Sequence, residues 1–292
     1  MDITQPHQNR VIAQKKPVGP LKKVWSFSIG DIHATTILPK LKGFPDIVTG
    51  SGLGGVFAIL IAAGLDPNKI LEIYKQEGYR IGKGNKEITH KQISYFIAHE
   101  ELLGRDSVKM QIKDLKCDVF FEVLNATNGI PAVISKATSP DLLVKIACLL
   151  CVSHPVFCAR TKLGKSKSIK SGGLSESGTF WGSYAVYPIP DPVLLRSHGG
   201  NDFQFETFYM PHEQYIPKEK RVNKHSGYQI DQSYSASAQQ AIETMQKELG
   251  ANYKLTIMKQ APFVMNLPKK EIAKLIELSK GAKDDSLISR TS

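Results

Sequence analysis

Residues 46–64 read Asp-Ile-Val-Thr-Gly-Ser-Gly-Leu-Gly-Gly-Val-Phe-Ala-Ile-Leu-Ile-Ala-Ala-Gly. A short apolar, β-branched stretch runs into Gly50, Gly52, Gly54 and Gly55, and these open a run of small and aliphatic residues. The first stretch has the length and composition of a buried strand; the second suits a buried helix that Gly64 would cap. Glycines at such a junction permit backbone geometry and close approach that a Cβ would forbid. A strand that turns sharply into a helix, both buried, constrains the chain to an α/β architecture.

The same pattern recurs along the sequence. Residues 24–29 alternate as a first strand, residues 32–41 read as a helix, and residues 44–49 as the second strand. Asp66-Pro67 opens another helix, since Asp suits the N-cap and Pro the first helical position; Ile70, Leu71, Ile73 and Tyr74 mark its buried side. Residues 88–99 read as a helix, 117–126 and 130–135 as paired strands, and 141–151 as a buried helix ended by Pro155. Residues 160–178, rich in Lys, Ser and Gly, read as a loop. Strands follow at 203–210 and 253–258, with helices at 236–249 and 269–279. The expected fold is a three-layer α/β/α domain over residues 22–279 with a mainly parallel central sheet. A flexible arm (1–21) precedes it and a disordered tail (280–292) follows.

No apolar run reaches the roughly 20 residues that a membrane-crossing helix needs. The first sixteen residues are polar and lack the apolar core of a secretory signal. A cytoplasmic or membrane-peripheral protein is the expectation. Cys117, Cys148, Cys151 and Cys158 fall in or near apolar segments, which favours reduced core thiols over a zinc site. Neither metal nor cofactor is expected. The formal net charge is +11, concentrated in segments such as 162–170 and 218–224. Such an excess favours an anionic partner, for instance an acidic lipid surface. Basic and aromatic residues do not interleave as in single-strand binders, so nucleic acid is not expected.

Gly50, Gly52 and Gly55 also satisfy the spacing of a dinucleotide-binding turn. That motif requires an acidic residue ending the next strand. Glu72 has the right distance but lies in a helical run, so nucleotide binding is not expected.

The 46–64 segment resembles the nucleophile elbow of patatin-like phospholipases, a variant of the Gly-x-Ser-x-Gly strand–turn–helix bend. The family pattern is Asp, two apolar residues, Gly-Thr-Ser-Ala-Gly, then a helix ending Ala-Ala-Gly. Three further segments resemble family landmarks in order. Residues 24–41 match the first strand, the oxyanion turn and its helix, with Gly30 kept and Asp31 within the turn. Residues 148–157 match a buried segment, with Pro155 and Phe157 kept. Residues 182–190 match the region that carries the catalytic Asp. The resemblance covers roughly residues 23–260 and implies a lipid acyl hydrolase fold.

It also implies which residues would act. The family's serine falls on Gly52, its aspartate on Gly182, and its anion-holding N–H groups around Gly30, Asp31, Leu53 and Gly54. Acyl transfer needs an activated hydroxyl, a base and oriented N–H donors. Gly52 has no hydroxyl and Gly182 no carboxylate. The resulting expectation is a catalytically inactive binding, scaffold or assembly protein that keeps an acyl-lipid or anion pocket. A lipid surface, a protein partner or a second copy of the chain would be its partner. The alternative is an active acyl hydrolase with a relocated nucleophile, for which Ser51 is the candidate. Ser51 otherwise reads as a turn residue, His154 as a packing residue, and His33 as a surface residue of the first helix.

Overall fold

The computed structural model describes residues 20–29, 32–77, 90–153, 161–163, 178–182, 189–198, 202–211, 226–258, 270 and 273–274. Gly30, Asp31, His154, Pro155, and most of the N-terminal arm, the basic loops and the final helix and tail lie outside the described residues.

Among the described residues eight strands form one sheet. β1 (Lys22–Ser28) lies at the centre of its parallel part, flanked by β2 (Ile47–Gly50) and β7 (Phe203–Tyr209). β3 (Asp118–Asn125) adds beyond β2 and β8 (Tyr253–Ile257) beyond β7, all parallel. β4 (Ile130–Ile134) and β6 (Gly178–Trp181) pair antiparallel with β3, and β5 (Thr161–Leu163) with β6. The central sheet is therefore mainly parallel, with an antiparallel extension at one side. β5 and β6 begin and end the stretch expected to be a loop: the flanks of the low-complexity segment pair with each other, which its composition conceals.

Helices cover both faces. α1 (Gly52–Ala62), α2 (Pro67–Glu77), α3 (His90–Ile97) and α4 (Val144–Val152) pack on one. Trp25, Phe27, Val48, Val119 and Phe121 of the strands point into this layer. α5 (Asp191–His198) and α6 (Ser226–Leu249) cover the other, against Val24, Ile47, Phe120, Phe203 and Phe205. Parallel strands demand this double cover, because both faces are apolar.

α1 is buried along its whole length. Phe57 meets Tyr74 of α2 edge-on at 5.5 Å and Phe96 of α3 at 6.3 Å. Such aromatic pairs contribute about 0.5–1.5 kcal/mol each beyond area burial. Gly64, at φ +91°, follows the end of α1. α2 buries the four residues that its spacing marks: Ile70, Leu71, Ile73 and Tyr74. Asp66 caps it, its Oδ1 accepting from the N–H groups of Asn68 (2.7 Å) and Lys69 (3.3 Å). Asp66→Ala is expected to lower stability by about 1 kcal/mol, measured as a shift of the urea midpoint.

Two expectations fail after β1. Residues 32–41 form two short 3-10 turns, Ile32–Thr36 and Leu38–Lys40, in place of one helix. β-Branched residues at 35–37 and Pro39 disfavour a continuous helix, and Thr36 Oγ1 donates to the His33 carbonyl at 2.6 Å, competing with the backbone ladder. His33 is also buried, not a surface residue: this turn belongs to the core layer under α1 and α2. α5 is a helix that the sequence reading omitted, and α6 begins ten residues before the expected position 236.

Candidate active site at the strand–helix elbow

β2 ends at Gly50, Ser51 is extended (φ −133°, ψ 147°), and Gly52 opens α1 at φ +55°. The left-handed φ falls on Gly52, the position onto which the family's serine aligns. A side chain there costs about 1–3 kcal/mol of backbone strain, which glycine avoids. Ser51 continues the extended course of β2, is fully buried, and makes no side-chain cap to α1.

The elbow is tied to the end of β1. Ser51 N–H donates to the Phe27 carbonyl and Gly54 N–H to the Ile29 carbonyl, both at 3.1 Å. Gly54 is thus committed inside the protein, and its N–H is not among the donors that an external anion would meet. The approach is close: a Cβ on Gly54 would lie 2.5 Å from the Phe27 oxygen and 2.7 Å from the Ile29 oxygen. Leu53, the other candidate donor on α1, is fully buried, while Gly30 and Asp31 lie outside the described residues.

Gly182 follows β6 and donates its N–H to the Ser153 carbonyl at 2.6 Å. A Cβ on Gly182 would overlap the carbonyl oxygens of Leu150 and Cys151 at the end of α4. The elbow reaches the same turn of α4, where a Cβ on Gly55 would meet Cys151 Sγ at 3.0 Å. The turn after β6 and the first turn of α1 therefore both close on the same end of α4.

Substitute nucleophiles are poorly placed among the described residues. Cys148 and Cys151 are enclosed, and burial pushes both thiols up, so neither supplies a thiolate. Burial likewise pushes Cys117 up to about 12. Ser153 Oγ donates to the Leu149 carbonyl at 2.8 Å. No three His, Cys, Asp or Glu side chains among the described residues come together as a metal site. No helix among them is long and apolar enough to cross a membrane.

Sequence reasoning overlooked two buried carboxylates, Glu122 on β3 and Asp191 on α5. Both belong to the face away from α1, so neither serves the elbow. The signal for Asp191 was present: Asp191-Pro192 repeats the Asp66-Pro67 helix start.

The fold and elbow together define a three-layer α/β/α protein with a strand–glycine–helix bend at the ends of its central strands. No family model matches the chain, and no curated protein matches it. Among solved structures, the crystal structure of VipD from Legionella pneumophila aligns with a TM-score of 0.46 at 12% identity. The alignment covers 89% of this chain and 65% of that one, so this chain spans less than two thirds of VipD's length.

Proposed function

We propose that this chain is a patatin-like protein without hydrolytic activity, working as a binding, scaffold or assembly protein. The observation that carries the reading is the packing of Gly182. The aligned base position has no space for any side chain, because the α4 carbonyls occupy it. Gly52 supports it further, supplying the elbow's backbone turn without a hydroxyl. Loss of the nucleophile alone costs several orders of magnitude in turnover. The basic excess of the chain favours an anionic or acyl-lipid ligand at a membrane surface. A protein partner or self-association is the other route to a scaffold role.

The test uses the purified full chain, a fluorophosphonate probe, and p-nitrophenyl ester and phospholipid substrates. The expected result is no covalent labelling and no turnover above background. Labelling or turnover that disappears in Ser51→Ala overturns the non-catalytic reading in favour of a relocated serine.

A further inference from the structure

On the face of the sheet away from α1, a row of hydroxyls interrupts the apolar layer. Strand register sets Thr49 of β2, Ser26 of β1 and Thr207 of β7 side by side, and all three are fully buried. Ser26 Oγ lies 3.0 Å from Ser28 Oγ. Asp191, fully buried at the start of α5, closes onto this row. Thr207 Oγ1 donates to Asp191 Oδ2 at 2.5 Å, and the Ser26 hydroxyl also bonds the carboxyl group. Asp191 Oδ1 and Thr49 Oγ1 are buried with no partner.

No cation faces this carboxyl group among the described residues. β1 presents Ser26 and Ser28, β2 presents Thr49, β7 presents Thr207 and Tyr209, and β8 presents Tyr253. The buried side of α6 offers Ala238, Ile242, Met245 and Leu249. On α5 itself, Arg196 interacts with Glu122 of β3, and the His198 ring packs on Phe120 and Phe203. A buried carboxylate without a countercharge is costly, whereas the neutral acid brings no charge into the interior.

We propose that Asp191 is a proton-operated clamp: neutral, it fastens the first turn of α5 to β1 and β7; ionised, it lets that turn loosen toward water. The clamp sits beside Ser28, the last residue of the strand whose end holds the elbow. It operates whether or not the elbow is catalytic.

Burial pushes the Asp191 carboxyl group up to about 6, partly opposed by the bonds from Ser26 and Thr207. A folded value above the ordinary carboxylate range makes closure strongest at low pH. Closure then weakens as pH rises from about 4 to about 6, and stays weak above that. Burial, and then the same carboxylate, raise the Tyr253 phenol, which therefore stays neutral across this window.

Hydrogen exchange of α5 in the full chain tests the clamp, after correction for the intrinsic pH dependence of amide exchange. Protection of α5 is expected to fall about tenfold between pH 5 and pH 8. Asp191→Asn is expected to abolish that fall, and His198→Gln to leave it intact. An unchanged pH response in Asp191→Asn, or a flat response in the parent chain, overturns the proposal. Should Asp191→Asn fail to fold, carboxyl carbon NMR of the parent chain decides. Titration of Asp191 near 6 supports the clamp, and titration in the ordinary carboxylate range overturns it.

Discussion

Replacing Gly182 by alanine is expected to lower stability by about 3 kcal/mol, at the upper end for overpacking, read as a fall in the denaturant midpoint at unchanged slope. The new Cβ would meet the carbonyl oxygens of Leu150 and Cys151, which are backbone and cannot rotate away. Either α4 retreats, opening its contact with α1, or the Gly182 N–H leaves Ser153. Gly182→Asp adds a buried carboxylate to the same overlap and is expected not to fold. A stable, soluble Gly182→Asp chain would mean that α4 can yield, and it would remove the main support for the non-catalytic reading. Building a Ser–Asp pair at these two positions therefore requires more than two substitutions. Gly52→Ser faces a φ strain of about 1–3 kcal/mol.

The second large effect is expected at Gly54. Its absent side chain lets α1 lie on the last residues of β1, with the Phe27 and Ile29 carbonyls inside normal Cβ contact distance. Gly54→Ala should force the helix away and break the Gly54–Ile29 hydrogen bond. The expected loss is about 3 kcal/mol, the sum of overlap and a buried backbone pair left unmade. A thermal midpoint equal to that of the parent chain would show that α1 sits less tightly on β1 than this packing requires.

Local signals made much of the fold legible. The Asp66-Pro67 start and the spacing of Ile70, Leu71, Ile73 and Tyr74 located α2 and its buried side, because cap and period lie within one turn or two. The elbow was equally local, since its glycines and apolar flanks adjoin. What failed depended on distant partners. His33 reads as a surface residue until α1 and α2 cover its turn. Ser26 and Ser28 alternate with Trp25 and Phe27 like a solvent face, yet α5 and α6 bury that face as well. The steric requirement at Gly182 was not legible, since the carbonyls it meets lie some thirty residues earlier in the chain.

α1 has no residue on the solvent side, and its first turn touches β1, β2 and α4 together. These three elements meet at backbone distances too short for a Cβ, so a relative displacement of one is felt by the others. A molecule that docks on the outside and nudges α4 would move the glycine bend with it. The first turn of α1 is then the keystone at which strand, sheet and outer helix meet.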